Sequence, residues 1–128
     1  MRRPLIRALA ALVLVGALGL TGCTDGGGGR VEASATFDDV ADLADGAPVM
    51  MADVTIGNVR SIELDETGRR ARVTFGVDRS ANVPAAVSAQ IRRTSPLGEK
   101  FIDLVPQTDD LEAEPLADGA VLDQTAVV

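Results

Sequence analysis

Arg70-Ala71-Arg72-Val73-Thr74-Phe75-Gly76-Val77-Asp78 alternates with a period of two. Ala71, Val73, Phe75 and Val77 fall on one side, and Arg70, Arg72, Thr74 and Asp78 on the other. Successive side chains of an extended strand point to opposite faces, so this pattern predicts a strand with one face on a core and one in water. The pattern continues outward in both directions. Val31, Ala33, Ala35 and Phe37 alternate with Glu32, Ser34 and Thr36, and Ile62 and Leu64 oppose Ser61, Glu63 and Asp65. Val87, Ala89 and Ile91 alternate with Ser88, Gln90 and Arg92. Val49–Ile56 is a less regular apolar run, and Gly57 interrupts it where a bulge or tight bend is expected. Phe101–Val105 is apolar on both faces except at Asp103, which predicts a central strand, and Ala120–Thr125 supplies a last short one.

Turn signals separate these runs: Asp45-Gly46-Ala47-Pro48, Glu66-Thr67-Gly68, Asn82-Val83-Pro84, Pro106 and Asp118-Gly119. Glu66-Thr67-Gly68 between two alternating runs predicts a hairpin with glycine at a positive φ. Asp38–Ala44 is the one stretch suited to a short helical turn. About seven short strands and no long helix predict an all-β chain, a small barrel or sandwich. With three phenylalanines and no tryptophan or tyrosine the core is thin, so association with other subunits would help it.

The 128 residues allow one small domain. Acidic residues outnumber basic ones 19 to 12, which argues against nucleic acid and anionic membrane surfaces as partners. Histidine, the commonest general base and metal ligand, is absent, so the composition argues against an enzyme. No cofactor is expected.

The first segment reads as an address. Arg2, Arg3 and Arg7 precede the apolar run Ala8–Leu20, which is short for a bilayer-crossing helix but suits a signal peptide. The run ends in Leu20-Thr21-Gly22-Cys23, which resembles the bacterial lipobox and accounts for the only cysteine. The expectation is a signal peptide over residues 1–22, removed before a lipidated Cys23. Residues 23–30, with four consecutive glycines, then form a flexible tether. A thiol nucleophile at Cys23 would need a base that the chain does not offer. The four glycines lack the Gly-Lys-Ser/Thr ending of a phosphate-binding loop. Two or three acyl chains hold a protein firmly, which places this one on the extracytoplasmic face of the cell membrane.

Arg92-Arg93-Thr94-Ser95-Pro96-Leu97-Gly98-Glu99-Lys100-Phe101 links two of the predicted strands and carries the expected working surface. Pro96 presets the turn dihedrals, and Gly98 is expected to tolerate positive φ. The turn is thus built to hold one shape with Leu97 at its tip. Such a tip suits contact with something apolar, although many hairpin tips pack on their own domain. Asp38, Asp39, Asp42 and Asp45 suggest calcium, but the EF-hand spacing is missing, and a solvated turn is the expectation. Asp109, Asp110, Glu112 and Glu114 read as a solvated loop, and Arg69, Arg70 and Arg72 as a solvated strand edge.

Taken together the segments resemble the Mce/MlaD domain family of bacterial envelopes over residues 31–125, with 126–128 as a C-terminal end. The resemblance rests on Ala35-Thr36-Phe37-Asp38-Asp39-Val40, Gly46-Ala47-Pro48-Val49 and Val54-Thr55-Ile56-Gly57-Asn58-Val59. It is strongest in Ile91-Arg92-Arg93-Thr94-Ser95-Pro96-Leu97-Gly98-Glu99-Lys100-Phe101-Ile102-Asp103-Leu104 and closes with Leu116–Thr125. It implies a seven-stranded β-barrel in a lipoprotein of actinobacterial type, in a short form without the C-terminal helical region of many members. It further implies a non-enzymatic subunit of an ABC lipid transport system. Such a subunit sits in a six-membered, mixed ring of related chains and works with a membrane permease and its ATPase. Ser95, Pro96, Leu97 and Gly98 would line the pore and touch lipid. A lipoprotein scaffold that carries no lipid is the alternative. Two departures stand out: Asp53 where the family usually has glycine, and Pro96-Leu97 where it commonly has two aliphatic residues.

Overall fold

The computed structural model describes residues 29–122 and 125–127. The expected signal peptide, Cys23 and most of the glycine tether lie outside the described residues.

The described residues are all-β apart from one 3-10 turn at Arg79–Ala81. The strands are β1 (Arg30–Phe37), β2 (Pro48–Met51), β3 (Val54–Leu64), β4 (Ala71–Asp78), β5 (Val87–Arg93), β6 (Lys100–Pro106), β7 (Ala120–Leu122) and β8 (Thr125–Val127). They form one sheet in the order β7-β1-β4-β3-β2-β6-β5-β8. The outermost strands, β7 and β8, are separated in sequence only by residues 123 and 124. One run of chain therefore pairs in parallel with β1 through Ala120–Leu122 and in parallel with β5 through Thr125–Val127. Thr125 Oγ1 also donates to the Thr36 carbonyl at 2.8 Å. The sheet curls until this run covers both of its edges.

The predicted run Val49–Ile56 divides differently in space. Ala52 and Asp53, with φ of 50° and 63°, turn the chain back between β2 and β3. Such a pair of left-handed residues is what a tight hairpin requires, and it explains why a glycine would sit comfortably at position 53. The expected strand at Ser61–Asp65 is the far end of β3. Gly57 lies inside β3 at the expected bulge, where Val49 pairs with Gly57 and Met50 with Thr55, leaving Ile56 unopposed; space dictates a glycine there as well, because a Cβ would overlap the Gly76 carbonyl oxygen on β4. Asp38–Ala44 forms tight turns rather than a helical one, with Leu43 N donating to Val40 O at 2.9 Å.

The alternating residues face inward as the pattern requires. Phe37, Phe75, Val73, Ile91, Ile102 and Leu104 are almost wholly buried in one core. Connecting segments stopper both mouths. Leu43 and Ala47 fill the end where β1, β3 and β5 finish, while Val83 and Leu116 fill the other. The second plug is held by Leu116 N donating to Val83 O and Ala85 N to Glu114 O, both at 2.8 Å. The barrel interior is thus a packed core.

The β3–β4 hairpin is the predicted one, with Gly68 at φ 66°. Asp65 Oδ1 accepts from Thr67 Oγ1 at 2.6 Å and from Thr67 N at 3.0 Å, with Arg69 N and Arg70 N at 3.3 and 3.4 Å. These bonds, the Thr67 hydroxyl first, hold the carboxyl below its ordinary value of 3.8. The turn's contribution is therefore complete above the ordinary value and is lost as pH falls through the lower folded one. An NMR titration should place the Asp65 midpoint below 3.8, and Thr67→Ala should move it upward.

Glycine exchanges should have opposite signs at two nearby sites. Gly57→Ala should cost about 3 kcal/mol by forcing β3 off β4, whereas Ala52→Gly should add about 1 kcal/mol by relieving a left-handed alanine. Denaturant unfolding reads both.

Candidate functional site

β5 and β6 run antiparallel from Val87↔Pro106 to Arg93↔Lys100, and residues 94–99 close the hairpin. Thr94 N donates to Glu99 O at 3.2 Å, and Gly98 N to Ser95 O at 2.9 Å. The second bond defines a β-turn with Pro96 and Leu97 at its corners. Proline's fixed φ suits the first corner. Gly98 departs from expectation, since its φ is not positive. Its role is steric: a Cβ would overlap Thr94 Oγ1 and come within 2.7 Å of Ser95 N. The turn is compact because position 98 has no side chain.

Leu97 is fully exposed, at 101% of its reference area. The reading that such a tip packs on its own domain is thereby excluded for this chain. Strand directions place the turn at the same end of the barrel as the 38–47 connection and the 65–70 hairpin. β1 starts at the opposite end, next to the 107–119 connection, whose Leu111 is equally exposed. Asp42, Arg93, Pro96, Leu97, Gly98, Glu99 and Lys100 line an open groove below the tip. Turn chemistry and the family resemblance brought Ser95, Pro96, Leu97 and Gly98 forward, gave Arg93 and Lys100 no role of their own within the expected working stretch, and read Asp42 as part of a solvated turn. The hairpin register, which sets Arg93 opposite Lys100, is the signal that could have found two of them.

The other charged stretches find local partners. Asp38 pairs with Arg70 at 2.7 Å, and Arg72 with Glu66 at 3.7 Å. Asp39 and Asp110 accept backbone N–H groups two residues on. Among the described residues, no group of three or more His, Cys, Asp or Glu side chains could hold a metal ion. Asp103, the acidic residue of the central strand, is joined to Arg92 at 2.9 Å on the outer face.

Comparison with known proteins agrees with this architecture. The family model described as MlaD protein matches residues 29–107. The chain belongs to the MlaD family. Lipoprotein LprN of Mycobacterium tuberculosis is 33% identical over 106 residues, covering 80% of this chain and 28% of the relative. The intermembrane phospholipid transport system binding protein MlaD of Haemophilus influenzae is 32% identical over 93 residues, 72% of this chain and 56% of the relative. MlaD of Escherichia coli is 33% identical over 94 residues, 71% of this chain and 51% of that protein. The chain thus spans from about a quarter to about half the length of these MlaD-family relatives. A chain of the Acinetobacter MlaFEDB complex in its ATP-bound Vtrans1 conformation superposes with a TM-score of 0.69. It has 21% identity, with 96% of this chain and 87% of that chain covered. That likeness establishes the MlaD barrel as the fold.

Because Leu97 touches so little of its own barrel, Leu97→Ser should change stability by no more than about 0.5 kcal/mol. Parallel urea melts of the two proteins check this.

Proposed function

We propose that this chain is a membrane-anchored, substrate-binding subunit of an Mce-type ABC lipid transport system, passing lipid through a ring lined by the Ser95–Gly98 turn. The exposure of Leu97 carries the reading. The barrel core is filled by its own side chains, so an apolar cargo has to be met outside it, and a rigid turn presents an aliphatic tip there. Burying a leucine side chain against an acyl chain contributes roughly 2 kcal/mol, and the contact has no direction. Several such tips around one axis would hold a lipid tail yet let it slide, since no hydrogen bond has to break. No step of chemistry on the cargo is involved.

The names of the relatives support the same class: a lipoprotein in one case and intermembrane phospholipid transport system binding proteins in others. A lipid on Cys23 would tether the barrel at the end where β1 begins. Leu97 would then face away from the membrane, on the extracytoplasmic side. Six such subunits, alike or mixed, would close the ring, with a permease and its ATPase supplying the energy.

Leu97→Asp should leave melting behaviour and cellular level unchanged and should abolish lipid transport by a strain carrying only that variant. Wild-type transport by that strain, at equal protein level, would overturn the lipid-contact role of the turn and favour a scaffold.

A further inference from the structure

The end of the barrel opposite Leu97 carries an apolar surface of its own. Met51, Pro84, Pro106, Leu111, Ala113 and Pro115 line an open groove of about 700 Å³. Leu111 is as exposed as Leu97 and packs on nothing in the barrel. Its loop is nevertheless tied in place. Gln107 N donates to Ala86 O and Ala85 N to Glu114 O, both at 2.8 Å, and Pro84 bridges to Pro115. At the tip, Ala113 N donates to Asp110 O at 3.2 Å, Glu112 N to Asp110 Oδ1 at 2.9 Å and Asp110 N to Thr108 Oγ1 at 3.1 Å. An aliphatic side chain fixed in water beside an apolar groove is the form of a docking anchor.

Charge decides what can dock there. Asp109 and Asp110 line the groove, Glu112 and Glu114 flank Leu111 in the same loop, and all four are exposed. Asp53 stands in the adjoining β2–β3 turn. Beyond Lys100 the sequence contains no Lys or Arg. The arginines of this end sit at the start of β1 and in the 3-10 turn: Arg30 pairs with Asp78 at 3.6 Å, and Arg79 N donates to Gly29 O at 2.9 Å. Neither lines the groove. A second copy of the chain would bring the same carboxylates against these, and an anionic lipid surface would meet them with its own charge. Both approaches are repelled. The tether Thr24-Asp25-Gly26-Gly27-Gly28-Gly29 has no apolar side chain to fill the groove and adds a further carboxylate.

We propose that this groove docks a cationic segment of another protein, in which an aliphatic side chain is flanked by Lys or Arg. The segment's apolar residue lies against Leu111 and the prolines, and its cations face Asp109, Asp110, Glu112 and Glu114. The apolar contact supplies most of the hold, while the acidic rim selects the partner and speeds its approach. The docking surface is independent of lipid contact at Leu97, which lies at the other end of the barrel.

The test places a photoreactive amino acid at position 113 of the full-length protein in cells, with exposed position 64 at the opposite end as control. Cross-linked products are digested and the attached molecule is identified by mass spectrometry. The expected adduct at 113 is a peptide of another protein carrying an aliphatic residue within about one helical turn of Lys or Arg. Asp109→Asn, Asp110→Asn, Glu112→Gln and Glu114→Gln together should lower its yield about tenfold, the loss expected for four exposed ion pairs. Asp110→Asn keeps an oxygen for the Glu112 N–H, and Glu112→Gln with Glu114→Gln carries the test if the quadruple variant does not fold. Leu111→Ser should lower the yield to a similar degree. An undiminished yield in the neutralised variants, lipid adducts, adducts to this chain's own peptides, or no adduct at 113 would each overturn the docking surface. Lipid transport and its dependence on Leu97 would be untouched by any of these results.

Discussion

The barrel depends on one run of chain, residues 120–127, being able to pair with both edges of the sheet. Without it, β1 and β5 would each present a row of unpaired backbone groups, the usual template for aggregation. The run is positioned before it pairs. Gly119 N donates to Glu32 O at 2.7 Å, and Glu32 N donates to Asp118 Oδ1 at 2.8 Å, so its start is fixed on β1. Its far half then lies beside Ala89–Ile91 of β5. The last residues of the domain thereby decide the shape of the first, and the fold is dominated by long-range pairing.

Closure leaves a small core. Phe37 and Phe75 are the aromatic members of the main cluster, and the rest is aliphatic. Plugs from the connecting segments make good what a thin core lacks. Val83, Leu116, Leu43 and Ala47 come from outside the strands, yet they are as buried as many strand residues. A filled interior moves any transaction with a lipid to the barrel's ends and outer face. On the proposed reading, the cargo meets Leu97 at one end while the membrane tether leaves from the other.

Alternation made β1, β4 and β5 legible from the residues, since each has one face on the core and the period of two survives folding, while β6 was legible as a run apolar on both faces and is buried on both. It failed at Val49–Ile56, where the rest of β2, the turn and the start of the long β3 carry no glycine or proline to mark the reversal. Ala52 and Asp53 adopt left-handed backbone angles that their residue types seldom signal. It placed the bulge at Gly57 but not the Gly76 carbonyl that approaches from β4, a reason invisible without neighbours from elsewhere in the chain. At Gly98 it expected positive φ where the need is room for Thr94 and Ser95 of the same turn.

The sequence by itself determined that the chain is all-β, that its family is MlaD, and that Ser95–Gly98 forms a tight turn with an aliphatic tip. These follow from local periodicity, turn chemistry and ordered motifs, all of which act between near neighbours. Only the tertiary structure decided that the interior is filled, that Leu97 is wholly exposed, and that Arg93 and Lys100 share a groove with Asp42. Asp42 lies about fifty positions from its companions, and the burial of Lys100 depends on everything packed around its stem. Strand order and the placing of loops at one end of the barrel bring such residues together, and no local pattern encodes that meeting.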